Sequence, residues 1–172
     1  MKKHLIKFHV LPLIGALALC MIILPAASFI KADFSGEWVL DESKSNLGEF
    51  GAMMAPKKLS VKSEAGVITV VRNSNGPMGE TVTTDKITLD GKESPSTGGF
   101  QGSTRKTTSK LSDDQNTLTV NSVLNLTFDG NSFEIKGTET WTLSADGKTL
   151  TIDAKTTTPQ GENTIKQVYN KL

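Results

Sequence analysis

Leu118-Thr119-Val120-Asn121-Ser122-Val123-Leu124-Asn125-Leu126-Thr127-Phe128 alternates apolar and polar residues. After Asp129-Gly130 the alternation resumes in Phe133-Glu134-Ile135-Lys136-Gly137-Thr138-Glu139-Thr140-Trp141-Thr142-Leu143. Successive side chains of a strand point to opposite faces, so a period of two means an extended chain with one buried face. Leu118, Val120, Leu124, Leu126, Phe133, Ile135 and Trp141 lie on that face. The opposite parity is mostly threonine, asparagine, lysine and glutamate, and β-branched threonine suits a solvated pleat.

The pattern extends in both directions. Runs of period two predict strands near 34–41, 57–63, 67–73, 80–89, 103–111, 117–128, 132–143, 149–158 and 163–171. Asp90-Gly91, Asp129-Gly130 and Asp146-Gly147 each lie between two such runs, and Asp-Gly tolerates the positive φ of tight hairpins; Ala65-Gly66 and the stretch Asn73–Gly79 read similarly. A local repeat supports hairpins. Leu118-Thr119-Val120 follows Leu111-Ser112 at the offset at which Leu150-Thr151-Ile152 follows Leu143-Ser144, and Ser63–Val70 is a looser copy. A meander leaves two sheet edges open unless it closes. The expected fold is therefore all-β: an antiparallel up-and-down meander of about 8–10 strands closed into a small barrel. Its polar outward parity lacks the apolar band of a membrane barrel. Asp41–Pro56 breaks the pattern. Leu47, Phe50, Met53 and Met54 recur at helical spacing, with Ser43, Ser45 and Asn46 as possible caps, whereas Gly48 and Gly51 favour an ordered loop; both readings stand.

The first residues have a different character. Lys2, Lys3 and Lys7 precede an apolar run from Val10 to Ile30, which ends among Ala26, Ala27, Ser28 and Ala32. That is the pattern of a secretory signal peptide, expected over 1–32, with the barrel domain over 33–172. Cleavage after Ser28 is also possible. An uncleaved membrane anchor is the alternative, the run being just long enough to span a bilayer. A lipid anchor on Cys20 is disfavoured by Leu19 before it. The expected location is secreted or periplasmic.

The leader takes with it His4, His9 and Cys20, the only histidines and cysteine among the 172 residues. Ser-His-Asp and Cys-His chemistry and zinc held by thiolate or imidazole are then excluded from the domain. Four of 19 basic residues (Lys2, Lys3, Lys7, Lys31) and none of the 18 acidic ones also lie there, leaving a net charge of about −3. Such a domain has no basic footprint for nucleic acid. No metal or cofactor is expected, and no membrane insertion once the leader is removed.

Phe34-Ser35-Gly36-Glu37-Trp38 places Gly-x-Trp at the start of the first strand, and the chain ends in Gln167-Val168-Tyr169-Asn170-Lys171. Together with the polar Ser43–Leu47 stretch, these ends resemble the calycin superfamily, the lipocalins and fatty-acid-binding proteins, and bacterial exported lipocalin-like proteins. The resemblance implies a barrel whose closed end is packed by Gly36 and Trp38. It also implies a ligand-binding Tyr169, matching the tyrosine of the Arg-x-Tyr-x-Lys motif in fatty-acid-binding proteins. Gln167 stands where that motif has arginine, and a neutral amide cannot supply the bidentate charged contact of a guanidinium.

Strand parity independently turns Arg72, Asp85, Arg105, Glu139, Gln167 and Tyr169 inward. Charges inside a barrel persist where they meet each other, water or a ligand. Arg72, Arg105, Glu139, Gln167 and Tyr169 are the candidate ligand-binding residues, for a small, partly apolar or anionic molecule. The alternative is a structural or partner-binding domain whose interior is filled by side chains. A hydrolase using Asp85 and Glu139 is a third reading.

Overall fold

A computed structural model of the protein describes residues 32–48, 51–52, 55–76, 79–96, 104–128 and 130–172. The expected leader lies outside the described residues except for Ala32, as do Phe50, Met53, Met54 and Asp129.

Among the described residues ten strands form one antiparallel sheet: β1 (Gly36–Leu40), β2 (Lys58–Glu64), β3 (Val67–Gly76), β4 (Gly79–Thr88), β5 (Ser94–Ser96), β6 (Thr104–Leu111), β7 (Thr117–Phe128), β8 (Asn131–Leu143), β9 (Thr149–Thr158) and β10 (Gly161–Lys171). Their spatial order is β4-β3-β2-β1-β10-β9-β8-β7-β6-β5. The chain is thus a meander whose first and last strands pair, Trp38 opposite Lys171 and Leu40 opposite Tyr169. The sheet rolls into a nearly closed barrel, in which β4 meets β5 and β6 through side chains rather than a ladder. Thr88 Oγ1 lies 2.8 Å from Ser94 Oγ, and Ser109 Oγ donates to Thr88 O at 2.6 Å.

Asp90-Gly91 was expected to turn a hairpin between two paired strands, and it does not. It is a corner that carries the chain across this seam, with Leu89 N–H tied back to Gly66 O at 2.8 Å. Strand β5 beyond it escaped the periodicity, since three residues with a central proline show none. Proline is tolerated there because β5 is an edge. The repeat Leu111–Val120 and Leu143–Ile152 is structural. In both turns the serine N–H donates across the loop to a threonine carbonyl, while the serine hydroxyl donates to an aspartate and accepts from the threonine N–H.

The two ends of the barrel differ. Toward the 65–66, 112–116 and 144–148 turns the interior is packed solid by Phe34, Trp38, Leu59, Ile68, Val70, Ile87, Leu118, Trp141, Leu150 and Ile152. Trp38 Nε1 donates to Phe34 O at 3.1 Å, and Lys171 Nζ lies 5.2 Å from the centre of the Trp38 ring. Gly36 is favoured by its φ of 147°, a backbone conformation that residues with a Cβ rarely adopt, and a Cβ there would also displace the end of the Lys171 side chain. The motif residues at the two chain termini thus meet. Toward the other end the inward-facing residues mix apolar, small and polar side chains and are only partly covered.

The segment after β1 keeps close to β10. Ser43 and Ser45 are not helix caps, contrary to one sequence reading. Ser43 Oγ donates to Asp41 Oδ1, Ser45 Oγ donates to Asp41 O and accepts from Val168 N–H, and Asn46 forms a bridge with Lys166. Their hydroxyls are engaged in a turn covering the outer face of β10. Helical backbone follows at Gly51 and Ala52, with Ala55 N–H donating to Gly51 O at 2.7 Å. Gly51 fits there against Leu47 and Ile165.

Equivalent positions of the repeated turns carry Gln115 at φ 59° and Gly147 at φ 66°. Left-handed backbone is strained for a residue with a Cβ. Gln115→Gly is expected to stabilise the protein by about 0.5–1 kcal/mol and Gly147→Ala to destabilise it by about 1 kcal/mol, read as opposite shifts of the urea midpoint.

Candidate functional site

Between the packed and open halves lies a layer of charge. The Arg72 guanidinium on β3 donates from Nη2 to Glu139 Oε2 on β8 at 2.9 Å, and its Nε lies 3.4 Å from Asp85 Oδ2 on β4. Arg105 on β6 reaches the same Asp85 oxygen at 3.9 Å, across the seam. Glu139 Oε2 also accepts from Trp141 Nε1 at 2.8 Å, and the Arg72 guanidinium carbon sits 5.6 Å from the centre of the Trp141 ring. Trp141 therefore both braces the carboxylate and offers a cation its π face. Arg72 Nε has no hydrogen bond among the described residues, so its contact with Asp85 is ionic only.

The environment fixes the charge states. Burial is the largest single influence on Glu139 and would raise its pKa. The Arg72 charge, the Trp141 N–H, the Arg72 hydrogen bond and Arg105 together outweigh it and hold the carboxyl below its ordinary value. For Arg72 burial again opposes the charge, but Glu139 and Asp85 more than restore it. Tyr169 is pushed well above the ordinary phenol value, first by burial and then by Glu139, and stays neutral.

The second polar group is self-contained. Tyr169 Oη lies 2.7 Å from Gln167 Oε1 and 3.1 Å from Pro56 O. One hydroxyl proton cannot serve both acceptors. Turning the Gln167 amide so that its NH2 donates to the hydroxyl frees that proton for Pro56 O. Both side chains are buried.

Above the charged layer a cavity of about 210 Å³ opens to solvent, lined by Arg105, Ser122, Leu124, Ile135, Gly137, Glu139, Ala154 and Thr156 on the inner faces of β6–β9. Ser122 and Gly137 are directly paired, and a Cβ on Gly137 would stand 2.8 Å from Ser122 Oγ. These small residues leave the space open. Of the candidate binding residues, Arg105 and Glu139 border the cavity, while Arg72 lies beneath it in ion pairs and Gln167 and Tyr169 bond to each other. The lining residues Ser122, Leu124, Ile135, Gly137 and Thr156 were not singled out from the sequence. Their signal was the small or modest residue at inward parity on three consecutive strands. Another hollow, of about 320 Å³, lies among outward-facing residues including Lys106, Asn121 and Val123, and the Lys106–Glu93 pair borders it.

Neither a protein-family model nor a curated protein sequence matches the chain. Among solved structures, the zebrafish ileal bile acid-binding protein, determined with cholic acid, superposes with a TM-score of 0.53 at 18% identity, over 81% of this chain and 98% of that one. The fold is of the calycin type.

Arg72→Met is expected to cost about 3 kcal/mol in urea denaturation at pH 7, because it takes the nearest counter-charge from half-buried Glu139 and one of two arginines from buried Asp85. With Glu139 lowered in the folded protein, its contribution is full above the ordinary value of 4.5 and is lost as pH falls through the folded value. In the variant burial acts without its main counter-charge, Glu139 shifts upward, and acidification relieves the strain. The gap between the two midpoints should therefore narrow from pH 7 to pH 4.

Proposed function

We propose that residues 33–172 form an exported, lipocalin-like binding module that holds a small, partly apolar ligand in the open half of the barrel. The observation that carries this reading is the cavity: apolar Leu124, Ile135 and Ala154 in its walls, and Arg105 and Glu139 together at its polar edge. Binding sites are commonly apolar concavities with a few convergent polar groups. At about 210 Å³ the space is smaller than a drug-sized pocket, and it suits the head of an amphipathic molecule whose tail extends toward the barrel mouth, where Phe133 is 38% exposed. The cholic acid bound by the zebrafish protein of similar fold is one such amphiphile. The leader pattern of Lys2 to Ala32 supports export, into the periplasm or out of the cell.

A carboxylate-based hydrolase is less well supported. Its general acid must be protonated near neutral pH, whereas Glu139 is held ionised and shares one guanidinium with Asp85.

Native mass spectrometry of protein purified from its host should show a retained small molecule. Titration with a fluorescent amphiphile tests the location. Ala154→Phe, which fills the cavity, should weaken binding at least tenfold with little change in melting temperature, and Arg105→Ala should weaken it roughly tenfold. Unchanged affinity in both would place the ligand elsewhere. A protein that carries and binds nothing would instead be a partner-binding or structural barrel.

A further inference from the structure

Resting on that reading, we propose that the cavity selects an uncharged head group that both donates and accepts hydrogen bonds, a hydroxyl or a primary amide, and discriminates against a carboxylate. The argument is charge balance. Among the described residues two guanidinium groups, Arg72 and Arg105, meet two carboxylates, Asp85 and Glu139, so these four side chains are formally neutral together before any ligand arrives. Arg72 is committed below the cavity, with its side chain 12% exposed. Lys155 touches the cavity, but its ammonium is turned outward to Glu162 Oε2 at 2.9 Å. Gln167 brings no charge, and the Tyr169 hydroxyl is bonded to Gln167 and Pro56.

Beside the hydroxyls of Ser122 and Thr156, two charged groups remain for a ligand. Arg105, at 29% side-chain exposure, makes no hydrogen bond among the described residues and only the 3.9 Å contact with Asp85, so its N–H groups are available donors. Glu139 receives both of its hydrogen bonds on Oε2, from Arg72 and Trp141, leaving Oε1 as an available acceptor. A donor and an acceptor bordering one cavity match a hydroxyl or an amide, which can both donate and accept. A carboxylate can only accept. It would satisfy Arg105 but leave Glu139 Oε1 unmet, and it would add a third negative charge beside Asp85 and Glu139 in a partly desolvated site.

The test is calorimetric titration of the full domain at pH 7.5 with decanamide, 1-decanol and decanoate, which share one tail. The amide and the alcohol should bind at least tenfold more tightly than the carboxylate. Equal or tighter binding of decanoate overturns the inference while leaving the binding-module reading intact. If none of the three binds, that reading falls and the inference with it. Glu139→Gln removes the like charge and should bring decanoate to within about threefold of decanamide. A preference that persists in a folded Glu139→Gln protein would show that Glu139 does not set it. If that variant does not fold, the comparison in the unmodified protein decides alone.

Discussion

A sheet rolled into a barrel must still join its two edges, and among the described residues no ladder joins β4 to β5. Closure depends on side chains. At the packed end neutral hydroxyls of Thr88, Ser94 and Ser109 bridge the seam, and higher up Asp85 meets Arg105 across it. Because Asp85 also lies against Arg72, and Arg72 bonds Glu139, the seam is tied through the interior to β8 on the far wall. Ion pairs of this kind rarely add stability compared with apolar packing of the same volume, yet losing one partner is costly. The barrel is therefore intolerant of change at a layer that an optimally stable protein would not contain.

That layer also divides the interior. Below it, Trp38, Trp141, Phe34 and their aliphatic neighbours leave no room. Above it, Ser122, Gly137 and Ala154 decline to fill the space. A polar floor beneath a partly apolar cavity is the arrangement an amphipathic ligand requires, and the same Glu139 that anchors Arg72 offers its second oxygen upward. Structural and recognition roles thus share one residue through its two oxygens.

Much of the architecture was legible in the residue order. The alternation over Leu118–Phe128 and Phe133–Leu143 gives strands at nearly the observed bounds, and the repeated Leu-Ser turns reproduce each other down to the serine hydroxyl. Parity also sent Arg72, Asp85, Arg105 and Glu139 to one side, where they meet. The short strand β5 and the corner at Asp90-Gly91 were not legible in this way. An edge strand of three residues carries no period, and whether Asp-Gly turns a hairpin depends on which strand is pairing next to it.

By itself the sequence determined the class of fold, the inward face of each long strand and the absence of histidine and cysteine beyond residue 32, because these follow from local periodicity and composition. It could not determine which inward charges neutralise one another. Strands far apart in the chain come together only when the sheet curls, and the distances from Arg72 to Glu139 and from Arg105 to Asp85 are products of that curvature. Only the tertiary structure assigned Arg72 to Glu139 and Asp85, Tyr169 and Gln167 to each other, and Arg105 with Glu139 to the edge of an open space.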